Sequence, residues 1–258
     1  MQKNWKIKER RNEADAESKI NLPVGGAIIA QLLANRGIVG QEKLDEFFDC
    51  NYEKNILDPF LFSDMEKAME RMAEAREKKE TIAIFGDYDA DGVTASALLY
   101  EAMTALGFEK IVLYIPDRQT EGYGMNEAAL DYLKEKGVNL VVTVDCGIAN
   151  ISEVEKAKGL GMDVIITDHH HVPKVLPEAV AIINPHRENC GYPFSDLAGV
   201  GVAFKFAQAL YQKFDKEKSE QLKWLLDLVV IGTVADCVPL VGENRVLTKY
   251  GLIVLSKT

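Results

Sequence analysis

Between residues 81 and 183 the chain passes five times through a short apolar run rich in β-branched residues, at 81–85, 110–115, 140–144, 164–167 and 180–183. The runs are apolar throughout rather than alternating, which is the pattern of strands buried on both faces. Helix-like segments at 93–106, 126–136 and 151–158 separate the first four. Strand–helix alternation of this kind predicts an α/β fold: a parallel five-stranded sheet flanked by helices, joined by right-handed crossovers. Outside that region the pattern is mostly helical. Residues 1–24 are a polar lead-in, short helices are expected at 25–35 and 41–48, and later helices at 199–214, 219–231 and from 245 to the end. The division expected is an N-terminal helical extension over 1–80, an α/β domain over 81–244, and a further helix over 245–258.

Local signals set some of the boundaries. Ser63 and Glu66 have capping-box spacing and open a helix whose apolar positions Met65, Met69 and Met72 share one face. Its remaining positions are charged, so an amphipathic surface helix is predicted. Asn126 and Gly137 are a cap at each end of one helix. Ser152 and Glu155 repeat the capping-box spacing near the start of another.

Thirty Lys and Arg against forty Asp and Glu leave a net charge of −10. That balance argues against nucleic-acid binding through bulk electrostatics and leaves a local basic groove open. The first twenty residues are charged and lack an apolar core, so no signal peptide is read there, and no apolar run reaches membrane-spanning length. Cys50, Cys146, Cys190 and Cys237 form no C-x-x-C pair, which argues against structural zinc. The expectation is reduced thiols and a cytoplasmic protein.

The chemistry gathers where the strands end. In open parallel sheets ligands bind beyond the carboxyl ends of the strands. The first run is followed by Asp87, Asp89 and Asp91, the third by Asp145-Cys146-Gly147, and the fourth by Asp168-His169-His170-His171. Clustered carboxylates raise one another's pKa unless a cation or proton lies among them. Oxygen ligands suit a hard divalent ion such as Mg²⁺ or Mn²⁺. Asp236 ends a later apolar segment, where a helix or turn cap and a closing metal ligand are both open readings.

Two other chemistries share the Asp-rich turn. Asp87-x-Asp89-x-Asp91-Gly92 matches the start of an EF-hand calcium loop, but the twelfth position, where a bidentate Glu is needed, is Leu98. Asp89-Ala-Asp91-Gly-Val93 also fits the nucleophile motif of haloacid-dehalogenase-type phosphatases, a mechanism that leaves the histidine run unexplained. Among basic residues, Arg118 follows a strand end and precedes the flexible Gly122-Tyr123-Gly124. His186, beside Pro185, fits either a place in the cleft or a structural turn. The sequence from Gly199 to Lys205 resembles a phosphate loop only superficially and reads as a helix start near the site, with Lys205 within reach of a substrate backbone.

With these residues assembled, the chain resembles the DHH superfamily of phosphoesterases, named for the motif seen here as Asp168-His169-His170. The stretches IFGDYDADGVTA, IPDRQTEGYGMN, VTVDCGI, ITDHHHVP, INPHREN, LAGVGVAFK and IGTVADCVPLVGENR carry the likeness in order, with QLLANRGI and DPFLFSDMEKA ahead of them. Within the superfamily they match its 5′→3′ single-stranded-DNA exonucleases of DNA repair and recombination. The resemblance implies two divalent ions, Mn²⁺ or Mg²⁺, held by Asp89, Asp91, Asp145, His169 and Asp236, with Asp145 bridging and Asp87 a further ligand or a partner behind them. It implies that His170 faces the scissile phosphate, that Asp168 orients an imidazole, and that Arg118 binds a 5′-terminal phosphate. The partners implied are single-stranded DNA, a single-strand-binding protein and a helicase. Phe85 stands where several members place a metal-binding histidine; 245–258 resembles the start of the linker helix of such enzymes, whose second cleft domain and oligonucleotide-binding fold are not found in this sequence. Hydrolysis of small nucleotides or oligoribonucleotides, and a metal-binding fragment without turnover, stay open as alternatives.

Overall fold

The computed structural model describes residues 26–257, so the lead-in read over residues 1–24 lies outside the described residues. The chain divides into two compact units, Met1–Asn51 and Tyr52–Thr258. In the first unit α1 (Gly26–Ala34) and α2 (Gln41–Phe48) stand where short helices are expected.

The second unit begins with the single turn α3 (Tyr52–Asn55), a 3-10 turn at Pro59–Leu61 and α4 (Met65–Glu77). The alternating region follows as β1 (Thr81–Phe85), α5 (Ala90–Ala105), β2 (Ile111–Tyr114), α6 (Glu127–Glu135), β3 (Val138–Val144), α7 (Ile151–Gly159), β4 (Asp163–Thr167) and β5 (Ala181–Ile183). Helix α8 (Gly199–Phe214), a 3-10 stretch at Lys216–Leu225, α9 (Leu226–Ala235) and α10 (Gly242–Leu255) complete it. The strands lie in the order β2-β1-β3-β4-β5, and every pairing is parallel. The edge strand β2 is the least buried of the five, with Leu113 exposed.

Strand alternation sorts side chains into two cores. Ile82, Ile84, Leu140, Val142, Val144, Ile165, Ala181 and Ile183 pack with α4, α5, α8 and α9. Ala83, Phe85, Val141, Val164, Ile166 and Ile182 pack with α6 and α7 on the opposite face. Since both faces are covered, the strands read as nearly continuous apolar runs, and the buried exceptions Thr143 and Thr167 donate to backbone carbonyls. Charged groups gather beyond the carboxyl ends of the strands. From β1 the chain goes outward to β2 and then crosses to β3 on the other side, so the switch point lies between the ends of β1 and β3.

Several boundaries differ from expectation for identifiable reasons. Helix α4 begins after Asp64 rather than Ser63, with no side-chain cap bond. Asp64 is engaged elsewhere: its Oδ2 accepts from Ile182 N at 3.1 Å and from Arg187 Nη1 at 2.5 Å, while Ser63 Oγ accepts from Arg187 Nη2 at 2.7 Å. These side chains tie α4 to β5 instead of capping it. Met65, Ala68, Met69, Met72 and Ala75 are buried, so α4, assigned by sequence to the extension, packs on the sheet within the second unit. Asn150 precedes α7 in place of the expected Ser152 cap, and its amide exchanges bonds with the Met125 backbone. Asn126 does cap α6, accepting from Ala129 N at 2.8 Å. The helix expected over 219–231 is a 3-10 stretch followed by α9. In the former, Lys223 pairs with Glu220 at the i,i+3 spacing that 3-10 geometry favours, and with Glu53.

Candidate metal centre

At the end of β1 the chain turns through Gly86 and Asp87 into the first turn of α5. Asp89 is the N-cap of α5, its Oδ1 accepting from Gly92 N at 2.9 Å. The turn is tight: a Cβ on Gly92 would lie 2.6 Å from the Asp87 Cβ and 2.7 Å from its backbone. Asp87 is buried as a result, with its Oδ1 accepting from Tyr88 N. Asp91 points the other way. Its Oδ2 accepts from Gly199 N at 2.6 Å and its Oδ1 from Val200 N at 2.8 Å, the first two amides of α8. Helix N-termini favour anions; here the anion is the chain's own carboxylate.

Asp145 follows β3 in a left-handed conformation, φ 60°, uncommon for a residue with a Cβ. A Cβ on Gly199 would collide with the Asp145 carboxylate, so glycine there lets α8 approach closely. His169 enters from β4. Its Nε2 lies 3.1 Å from Asp145 Oδ1, 3.7 Å from Asp236 Oδ2 and 3.8 Å from Asp91 Oδ2. One imidazole nitrogen thus faces three carboxylates from three different elements. Asp145 Oδ1 is buried and has no aligned hydrogen-bond partner. Among the described residues, ligand atoms fall into three groups, each within 4.8 Å: Asp87–Asp89–Asp145, Asp145–His169–His170 and Asp91–His169–Asp236. Asp145 and His169 each belong to two.

Burial pushes the Asp91 carboxyl up to about 6, with the Asp236 charge adding to it. Burial also lifts Asp145 to about 7, aided by Asp91 and Asp89. On His169 burial acts downward, but Asp145, Asp91 and Asp236 together outweigh it and raise the imidazole to about 9. With no cation the cluster keeps protons that isolated side chains would release. A divalent ion relieves the same repulsion. Mostly carboxylate oxygen with one or two imidazoles, and no thiol in any group, is the donor set of a hard ion such as Mn²⁺ or Mg²⁺. The residues present fit such ions.

Asp168 organises the rim. It is fully buried; its Oδ2 accepts from Ile148 N at 2.9 Å, and its Oδ1 accepts from His169 N, His170 N and His170 Nδ1 at 2.7, 3.0 and 2.7 Å. Burial opposes ionisation of Asp168, yet these donors hold its carboxyl below the usual range, and Asp168 in turn raises His170.

Residues 81–233 match the family model described as DHH family, N-terminal domain. The chain belongs to the DHH family. It is 45% identical over 231 residues to the single-stranded-DNA-specific exonuclease RecJ of Bacillus subtilis, covering 90% of this chain and 28% of that protein. It is 40% identical over 256 residues to RecJ of Escherichia coli, covering 95% and 43%. The crystal structure of exonuclease RecJ bound to manganese superposes with a TM-score of 0.68 at 33% identity, over 77% of this chain and 49% of that one. RecJ from Thermus thermophilus in complex with Mn²⁺ gives 0.67 at 28% identity, over 89% and 31%. The chain therefore spans under half the length of these relatives.

Within this DHH-family unit, Asp89, Asp91, Asp145, His169 and Asp236 converge, and Asp87 joins Asp89 and Asp145 in one group. Asp236 is both the C-cap of α9 and a neighbour of His169. Phe85 stacks on Tyr114 and offers no ligand. The Arg118 guanidinium lies over the Tyr88 ring, 5.3 Å from its centroid, beside the Asp-rich turn. The His186 ring lies beside that of His171, tilted by 40° with centroids 5.6 Å apart, outside the three groups. Lys205 needs correcting. It is fully buried, pairs with Glu243 and donates to Leu57 O at 2.9 Å, because its position in α8 faces the core. Two contributors were not singled out from sequence. Tyr123 Oη lies 3.1 Å from His170 Nδ1 and 3.4 Å from Asp145 O, a placement hinted at by its flanking glycines. The amides of Gly199 and Val200 carry no sequence signal beyond a helix start.

No described helix is long and apolar enough to cross a membrane.

Proposed function

We propose that this chain is the metal-holding part of a RecJ-type exonuclease, hydrolysing phosphodiester bonds of single-stranded DNA from the 5′ end with two Mn²⁺ or Mg²⁺ ions. The observation that carries the proposal is the place of Asp145, which belongs to the Asp87–Asp89 group and brings its Oδ1 to 3.1 Å from His169 Nε2, the imidazole of the Asp91–Asp236 group. A carboxylate of one ligand group that also reaches the next is what a bridged pair would require. The identity to RecJ proteins over about nine-tenths of the chain supports the same substrate.

Asp87, Asp89 and Asp145 would hold one ion, and Asp91, His169 and Asp236 the other, with Asp145 between them. A divalent pair supplies Lewis acidity and offsets negative charge on a phosphodiester. The chain's own groups do the rest. Asp168 accepts the Nδ1–H of His170 in a hydrogen bond and raises that imidazole, which fixes the ring of a half-exposed side chain and would leave its other nitrogen to meet a phosphate oxygen. Arg118, lying over Tyr88, offers a planar guanidinium to a terminal phosphate. Residues 81–244 are proposed as the hydrolytic module. A single-strand-binding protein and a helicase, which expose such strands, are proposed as partners, and the cytoplasm as the place of action.

The test is a Mn²⁺-dependent assay of this chain on 5′-phosphorylated single strands, duplexes and dinucleotides, with Asp145→Ala as control. Release of mononucleotides from single strands, lost in the variant, is expected. Preference for dinucleotides would move the substrate to small phosphoesters. Activity surviving in Asp145→Ala would sink the bridged-pair reading.

A further inference from the structure

Three consecutive residues at the start of α10 are held unusually firmly. Gly242, φ 49°, packs so closely that a Cβ there would lie 2.8 Å from the Phe194 ring. Glu243 is buried; it pairs with Lys205, accepts from Tyr192 Oη at 2.5 Å and from Leu57 N at 3.0 Å. Asn244 is fully buried, and its Nδ2 donates to Asp196 O and, at 3.1 Å, to Pro239 O. Its Oδ1 is buried with no hydrogen-bond partner. A buried amide with one end unsatisfied is a cost that an apolar residue would not carry. What Asn244 gains is a tie between two backbone segments.

Those segments are the two walls of one ligand group. Asp196 lies three residues before Gly199, whose amide and that of Val200 hold Asp91. Pro239 lies three residues after Asp236, and the turn between them passes through Cys237 in a left-handed conformation, φ 60°. A residue with a Cβ persists in that region only where surrounding contacts enforce it. We propose that Asn244 is a positioning residue for the Asp91–His169–Asp236 group: by gathering Asp196 O and Pro239 O it sets the distance between the Asp91 amide donors and the Asp236 carboxylate. The described hydrogen bonds of its side chain go to those two carbonyls and not to Asp87 or Asp89. The inference rests on the metal-holding role proposed above and adds a residue to it.

The test is a Mn²⁺ titration of the whole chain, read by electron paramagnetic resonance, with melting temperature in chelator as the measure of folding. Asp87→Asn and Asp236→Asn assign the two affinities to the two groups. Asn244→Ala is expected to weaken the affinity assigned to the Asp236 group about tenfold or more, the scale set by residues that orient metal ligands, while the other stays within about twofold. Asn244→Ser, which keeps one donor, is expected to weaken it less; it also carries the comparison should Asn244→Ala not fold. Equal weakening of both affinities, or a lower melting temperature with both affinities unchanged, would assign Asn244 to general stability and overturn the proposal. A wild-type chain that binds no Mn²⁺ overturns the metal reading beneath it.

Discussion

The Asp168 carboxylate lies 2.7 Å from His170 Nδ1 while also accepting the backbone N–H groups of Ile148, His169 and His170. The group that orients an imidazole therefore also folds the loop that delivers both site histidines. Its two duties separate in two variants. Asp168→Ala strands the buried Ile148 N–H and the partly buried N–H groups of His169 and His170; a buried donor is worth ~1–3 kcal/mol when unsatisfied, so denaturant unfolding should show a loss of at least about that size. Asp168→Asn keeps the shape and loses the charge, and its turnover should fall about 10- to 100-fold. Turnover unchanged in Asp168→Asn would remove the carboxylate from any role in setting His170.

Protons and cations compete for the same cluster. Asp91 and Asp145, ordinarily near 3.8, are raised to about 6 and about 7, and His169 from 6.5 to about 9. Each binds its proton more tightly in the folded chain than in the unfolded one. Their stabilisation is thus complete at low pH, and is lost as pH rises through about 6 and 7 for the carboxyls and about 9 for the imidazole. In chelator, the melting temperature should fall between pH 6 and pH 9. The increment added by Mn²⁺ should grow over the same interval, because the ion displaces fewer protons there. A Mn²⁺ increment largest at pH 6 would contradict this picture.

Lys205 gives a clear distinction between substrate contact and core. Removing one partner of a buried pair leaves the other charge uncompensated, at ~3–5 kcal/mol. Lys205→Met should therefore lower unfolding stability by about that amount through the orphaned Glu243. The salt dependence of single-strand binding should stay the same, since no phosphate contact is lost. A flatter salt slope in a normally stable Lys205→Met would return Lys205 to the substrate.

Arg118 is exposed, and its described contact is the Tyr88 ring. If it receives a terminal phosphate, Arg118→Ala should weaken binding of 5′-phosphorylated strands about tenfold or more, the ~1.5–3 kcal/mol of a charge-assisted hydrogen bond. Strands ending in a 5′-hydroxyl should be little affected. Matching losses on both substrates would make Arg118 a contact to internal backbone.

Much of this was legible because burial on both sheet faces forces strands into continuous apolar runs, and the first polar residue after each run marks a strand end. Asp87, Asp145 and Asp168 could be found in that way. Asp236 was ambiguous for a physical reason: it is a helix C-cap and a neighbour of His169 at once. Lys205 misled because a lysine on a site-proximal helix looks exposed, and only its pairing with the buried Glu243, far along the chain, shows where its charge goes. Ser63 misled because a capping pattern is local, whereas Asp64 and Ser63 answer to Arg187, which is distant in sequence. Tyr123 and Asn244 act on the site through long-range bonds that no local spacing encodes.

In the proposed site Asp145 serves two cations. The most direct measurement is the number of Mn²⁺ ions bound per chain, by wild type and by Asp145→Ala, at metal concentrations saturating for the wild type. Two ions for wild type and at most one weakly held ion for the variant are predicted. Two ions bound by Asp145→Ala with undiminished affinity would contradict the account.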